Sequence, residues 1–494
     1  MDLTPRYQAG LVLVGVTIAF VTAVIIRRIY FHPLSKYPGP WLGKFSDLPT
    51  ILAVFNRRRT FKQYELLQAY GSPVRMGTNS LVFSDMETFA QILGQSSRPC
   101  LKDPASYDGL SATGAINVLN ATDRHQHARL RRLIAHSFSL KSLLTSENMI
   151  LRKVDEYVSI FQGRDGQSVD ILVRTYELFL DIVSQLSFGE SFDCLSGKTP
   201  TAYRDVQAFF TVVPAMSMAP ILRYLPIKTF REGLKGMGRL QEFSRAHVAA
   251  FLERSSDKSY LRQKGGFLDN LALAVDAETG TKLTREELVE NAITFLAAGS
   301  GTTAATIIYL LWECGNHPQV RKRLIEEIRT RFPDPSIPPT YEEAAKLPFL
   351  GAVIEETLRL RGPLNSGAPR VSPGKEIGTQ WVPEGITIEV STYATVRDPN
   401  VFPDPLKFDP SRWENATEEM RQMARPFSYG PRNCVGRHLA EMGLFLTVAR
   451  IYQLYDIIPD QNIQDEEMRQ IDFGVMEPAC EHFNVTAIKA PEKA

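Results

Sequence analysis

From Tyr7 to Ile26 the chain carries no charged residue, and Leu11 to Ile26 reads LVLVGVTIAFVTAVII. This is close to the roughly 20 residues that a bilayer-spanning helix needs. Arg27 and Arg28 follow at once, then YFHPLSKYPGPW, in which Pro33, Pro38, Gly39 and Pro40 cannot continue a helix. A secretory signal has a shorter apolar stretch and a small-residue cleavage site, so the pattern predicts an anchor. Arg27, Arg28 and Lys36 outweigh Arg6, which places everything after the anchor in the cytosol. The expected organisation is a membrane anchor over 1–30, a stiff Pro-rich hinge over 31–45, and one continuous body over 46–494. That topology also predicts that the sequons at Asn120, Asn415 and Asn484 stay unglycosylated.

In the body, SPVRMG and SLVFSD are short β-type runs, while most of 120–360 shows apolar residues at helical spacing. The fold class is therefore mainly α with a smaller β portion. Thr284 and Glu287 form a capping-box pattern opening a helix of about thirty residues, some 45 Å long, that ends near Gly315 and Pro318. Its centre reads AAGSGTT, with Gly299 and Gly301 where helix propensity favours other residues. Two readings stand side by side: close helix packing, or a local opening that admits a flat ligand with threonine hydroxyls facing the gap. Further on, EIGTQWVPEGITIEVSTYATVRD predicts a hairpin that turns at Val-Pro-Glu-Gly.

Composition narrows this picture little. Hydrophobic residues make up 44% and charged residues 22% of 494, and the formal net charge is +1, so no global field favours nucleic acid. The five cysteines are far apart, with no C-x-x-C pair, which argues against a disulfide framework or a zinc finger. Cys434 alone has a distinctive setting, FSYGPRNCVGRHLA, where Gly430 and Gly436 let backbone approach a planar partner. RHLAEMGLFLTVARIY reads as a helix, so the thiol sits at a helix N-terminus beside Arg432 and Arg437, a setting that favours thiolate. A thiolate is a metal ligand or a nucleophile; no oxyanion hole or triad is marked nearby, although His438 stands four residues on.

The pattern F-x-x-G-x-R-x-C-x-G, filled by Phe427, Gly430, Arg432, Cys434 and Gly436, resembles the haem-binding loop of the cytochrome P450 family. The resemblance implies that Cys434 is the axial ligand of haem b iron, that Phe427 shields the sulfur, and that Arg432 pairs with a haem propionate. Other segments resemble the same family in the same order. ETLR supplies Glu356 and Arg359, and Arg412 in FDPSRW is similar to the third member of a structural Glu-Arg-Arg cluster. HARLRRLIAHSFS resembles the family's W-x-x-x-R helix with His127 at the tryptophan position and Arg131 at the arginine; Arg131, His127 and Arg370 are further candidate propionate contacts. Arg129 and Arg132 are expected to face outward as a docking patch.

The long helix is similar to the family's oxygen-activating helix, A/G-G-x-D/E-T-T/S, filled here by Ala298, Gly299, Ser300, Gly301, Thr302 and Thr303. Thr302 takes the position of the threonine that hydrogen-bonds the bound oxygen, and Gly301 takes that of the proton-delivering acid, so relay is expected through Ser300, Thr303, substrate or ordered water. The implied fold places haem between this helix and the helix after Cys434. Expected pocket segments are 105–118, 208–222, 295–302, 364–368 and 475–476. Within them Phe295, Ala298, Asn365, Ser366, Val475 and Met476 are the expected substrate contacts.

The resemblance implies a monooxygenase in the endoplasmic reticulum membrane, single-pass, with its catalytic domain on the cytosolic face. It would take electrons from NADPH through a separate flavin-bearing NADPH-cytochrome P450 reductase, with cytochrome b5 as a second donor. The substrate is expected to be a small, mostly apolar organic molecule of fungal secondary metabolism, a polyketide, terpenoid or alkaloid. The alternatives are a haem-thiolate isomerase, dehydratase or peroxide-using enzyme, and a non-catalytic haem-binding membrane protein.

Overall fold

The computed structural model describes residues 5–199, 202–218, 228–254, 267–472 and 474–491. The chain divides into two compact units, one made of Met1–Cys100 and Ser366–Thr395, the other of Leu101–Asn365 and Val396–Ala494.

The first unit begins with helix α1 (Pro5–Tyr30), whose stretch Leu11–Tyr30 has a mean hydropathy of 2.1 and is not buried by protein at all. Such a surface is stable only against something other than water. The Pro-rich segment behind it is packed rather than a free spacer, because Leu34 and Tyr37 are fully buried. The side chain of Arg75, on strand β1 (Val74–Gly77), is buried and donates to the carbonyls of Leu34, Lys44, Gly77 and Thr78. Backbone carbonyls take the hydrogen bonds of this cation, and Asp47 supplies a favourable charge nearby.

β1 pairs antiparallel with β2 (Ser80–Phe83), as the two β-type runs predict. β2 runs parallel to β4 (Gln380–Val390), which pairs antiparallel with β3 (Arg370–Ile377). The β3–β4 hairpin corrects one expectation. Ile377 pairs with Gln380, so the turn is Gly378-Thr379, with Gly378 at φ +59°. Val382-Pro383-Glu384-Gly385 instead lies within β4. A two-residue hairpin loop favours a positive φ that glycine adopts freely, and this outcompetes the proline signal five residues later.

The second unit is built on helices: α2 (Arg124–Ala135), α3 (Leu172–Phe188), α4 (Ala202–Met218), α5 (Arg285–Asn316), α6 (Pro348–Arg361) and α7 (Arg437–Leu454). The capping box forms as expected, with Thr284 accepting from the Glu287 amide and the Glu287 carboxylate accepting from the Thr284 amide. α5 is as apolar as a membrane span, yet nearly every residue from Leu288 to Cys314 is buried in protein. The length and hydropathy of α5 thus reflect a core position. A small hairpin, β5 (Gln470–Asp472) with β6 (Met476–Pro478), returns beside the end of α6, where the Met476 amide donates to the Pro363 carbonyl at 2.7 Å.

Candidate functional site

The loop before α7 is shaped by its backbone. Ser428 and Gly430 both have positive φ, +62° and +74°, and the Cys434 amide donates back to the Phe427 carbonyl at 2.9 Å. This presents the Cys434 side chain on a tight bend with Gly436 alongside, whose absent Cβ would lie 3.9 Å from the sulfur. Cys434 has accessible surface, yet burial pushes its thiol pKa up, while the Gly436 amide and Arg131 pull it down. Arg437 pulls in the same direction, as expected, though less than Arg131, and desolvation outweighs both. Bound metal charge is what deprotonates such a thiol outright.

The guanidinium groups of this region are engaged with protein. Arg131 on α2 donates to the Asn433 carbonyl at 2.7 Å and to Asn433 Oδ1 at 2.8 Å. Arg432 donates to the carbonyls of Ala121, Thr122 and Asp123. Together they tie the cysteine loop to the start of α2. His127 is buried on α2. The expected docking patch is not free: Arg129 pairs with Glu287 at 2.8 Å and Arg132 with Asp276 at 2.6 Å, so both charges are matched internally.

The three-residue cluster forms as expected and is fully enclosed. Arg359 makes two 2.8 Å bonds to Glu356, Arg412 Nε donates to Glu356 Oε1 at 3.0 Å, and Trp413 Nε1 donates to Oε2 at 3.0 Å. The spare Arg359 donors go to the carbonyls of Val396, Pro405 and Lys407. Every atom of the Glu356 carboxylate is matched, which is the condition for burying charge without a large penalty.

On α5 both readings hold, at different residues, with Gly301 itself buried against Glu477 and Tyr176. A Cβ at Gly299 would meet Val183 of α3 at 3.0 Å, so this glycine serves close packing. Ala298 is exposed and Thr302 half-exposed in a helix otherwise buried on both sides, which marks the opening. Thr302 Oγ1 donates to the Ala298 carbonyl at 2.8 Å, leaving its lone pairs free to accept. Ser300 and Thr303 do not share this face. Ser300 is buried and bonded to the Leu296 carbonyl at 2.7 Å, and Thr303 is buried near Gly443 of α7. At about 100° per residue they point away from the Ala298–Thr302 edge, which leaves substrate or ordered water as the expected routes at that edge.

The expected substrate contacts divide similarly. Phe295 departs from its expected place: it packs edge-on against Phe138, with centroids 5.0 Å apart, and belongs to the core. Asn365 is buried and its Nδ2 has no hydrogen-bond partner among the described residues. Val475 and Met476 are buried at the start of β6. Ser366 and Arg370 belong to the first unit, where Arg370 is buried opposite Ile388. Of 208–222, residues 219–222 lie outside the described residues.

Two buried acids carry signals that sequence reasoning passed over. Glu290, one helical turn into α5, accepts from the amides of Ala112 and Thr113, the Thr113 hydroxyl and Asn117 Nδ2, and so holds the 112–117 loop. Glu477 on β6 lies 3.5 Å from where a Cβ of Gly301 would be. Its carboxyl accepts from Gln207 at 3.2 Å and is pushed up to about 7 by burial.

The comparisons with known proteins agree with this geometry. The family described as Cytochrome P450 matches residues 36–482. The cytochrome P450 monooxygenase ORF9 of Penicillium roqueforti is 30% identical over 94% of this chain and 92% of its own length. Averantin hydroxylase of Dothistroma septosporum is 31% identical over 90% of this chain and 84% of its own. Among solved structures, the cytochrome P450DA heme domain superposes with a TM-score of 0.77, covering 92% of this chain and 98% of that one at 18% identity. With a family match across nearly its whole length and relatives of this coverage, the chain belongs to the cytochrome P450 monooxygenase family.

Proposed function

We propose that this monooxygenase inserts one oxygen atom of O2 into a small, mostly apolar intermediate of fungal secondary metabolism, of polyketide, terpenoid or alkaloid class. Electrons come from NADPH through a separate flavoprotein reductase, with cytochrome b5 as a second donor. The observation that carries the reading is the cysteine loop, in which Cys434 is held on a tight bend with Gly436 leaving the approach to its sulfur clear. The hydroxylase name and fungal origin of the relatives support the substrate class.

The residues present fit the family's haem b: a lone sulfur donor, a neighbouring glycine that leaves the approach clear, and an opposing helix whose one open edge is Ala298–Thr302. When bound, haem supplies oxygen activation, and the thiolate of Cys434 pushes electron density towards the metal. The rest falls to the chain. Phe427 and the loop backbone shield the sulfur from water. Arg131 and Arg432 fix the loop against α2 and would be the cations to pair with haem propionates, with His127 on the same helix as a further candidate. Thr302 offers an acceptor oxygen at the open edge. Val475, Met476 and Asn365 border the end of α6 and β6, where a substrate that is mostly apolar with one polar group finds matching partners. The apolar α1 holds the body at the endoplasmic reticulum membrane, with the arginine-flanked end cytosolic.

The test is metabolite profiling of a strain lacking the gene, followed by turnover of the accumulated compound with protein, reductase, NADPH and labelled O2. One labelled atom in the product is the expected result. Product formed without O2, or from peroxide alone, would favour the isomerase, dehydratase or peroxide-using alternative.

A further inference from the structure

α5 lacks a carboxylate at position 301, immediately before Thr302, and the structure fills that place from another element. β6 brings Glu477 to the bare face of Gly301, with Oε1 3.5 Å from the position a Cβ would take. Oε1 accepts no hydrogen bond from any described residue, whereas Oε2 accepts from Gln207 of α4 at 3.2 Å. Gln207 also donates to the Tyr203 hydroxyl. Glu477 is 8% exposed. The titratable groups facing it are Tyr176 of α3, Tyr203 of α4 and Tyr309 of α5, with Cys480 just past β6 close to all three tyrosines, and all four are pushed up by burial. The nearest cations act on those tyrosines, Arg204 on Tyr203 and Arg361 on Tyr309, and none pairs with Glu477. A buried carboxyl with no cationic partner is costly to keep in a core, unless it holds and exchanges a proton.

We propose that Glu477 takes over the proton-holding role of the acid absent from position 301, acting through Thr302. The proposal rests on the monooxygenase reading. Release of one atom of O2 as water consumes protons as well as electrons, and NADPH through the reductase supplies only the electrons. The Glu477 Oε1–H bond breaks, the proton passes through water around the helix to the Thr302 hydroxyl oxygen, and the hydroxyl proton of Thr302 moves on towards the reacting oxygen. Thr302 is left unchanged and Glu477 as carboxylate, which solvent reprotonates along α4. Glu477 is thus a positioning residue for the proton, and its pKa near 7 suits exchange in both directions.

The test uses the full-length holoenzyme of the parent, E477Q and E477D. Infrared spectra over a pH series should show in the parent a protonated-carboxyl band that titrates near neutrality and is absent from E477Q. Product formed per NADPH consumed should fall roughly tenfold or more in E477Q, recover in part in E477D, and lose in E477Q the decline that the parent shows as pH rises through neutrality. A parent without that band, or an E477Q enzyme with parental coupling and pH profile, overturns the proposal. Should E477Q not take up haem, the band in the parent and its shift in E477D decide the matter. The reduced carbonyl spectrum separates the two levels: a parent lacking the thiolate-type band sinks the monooxygenase reading itself, and this proposal with it.

Discussion

A carboxyl enclosed as Glu477 is keeps its proton to about pH 7 because ionising it without a cationic partner means desolvating a charge. Its folded-state pKa therefore lies above the ordinary carboxylate value. The sign follows: its contribution to stability is fully present below about pH 4 and is lost as pH rises through about 7, with an upper limit of about 3 kcal/mol. Glu477→Gln removes this linkage, so its unfolding temperature should gain on that of the parent as pH goes from about 5 to about 8. A constant difference across that range would mean that Glu477 is ionised throughout. Nothing in the sequence around Val475-Met476-Glu477-Pro478 announces the residue, because its partner position, Gly301, lies on an element 176 residues away and is marked only by what it lacks. The Glu356–Arg359 pair was legible from its three-residue spacing on one helix face, whereas Arg412, 56 residues from Glu356, was placed only by the family resemblance. The contacts of Arg129 and Arg132 were not legible, since their acidic partners come from the distant 276–287 segment.

At the level of elements, α5 was readable end to end, since its cap, its apolar run and its terminating proline are all local signals. Which residues open the helix and which let a neighbour in depends on α3 and β6, which local sequence does not encode. The β3–β4 turn shows the same limit, with two turn signals a few residues apart and register deciding between them. The element contact most open to test is the one between α6 and the 396–413 segment, joined through Glu356. Glu356→Gln leaves Arg359 buried without a counter-charge and weakens the Arg412 bond, a change worth about 3–5 kcal/mol. The variant should unfold well below the parent in thermal denaturation and incorporate haem poorly. A parental unfolding temperature would mean that the carbonyls around Arg359 and Arg412 suffice to hold them.

For the whole molecule, the apolar stretch of α1 is not buried by protein, although Arg28 near its end donates to the Phe45 carbonyl, and Phe31, Trp41, Leu42, Leu48 and Leu52 behind it are exposed as well. An apolar surface continuing past the anchor predicts that protein lacking residues 1–30 still sediments partly with membranes and is released by detergent rather than by salt. Complete solubility after that truncation would confine membrane attachment to α1. The glycosylation test of topology is best read at Asn415, which is exposed, because Asn120 is buried and its amide is bonded to the Ala115 carbonyl. The most direct test of the account is the reduced carbonyl spectrum of the purified full-length protein beside Cys434→Ser. The parent should show the red-shifted thiolate-type band and the variant should lose it; survival of that band in Cys434→Ser would contradict the assignment of Cys434 as the haem ligand.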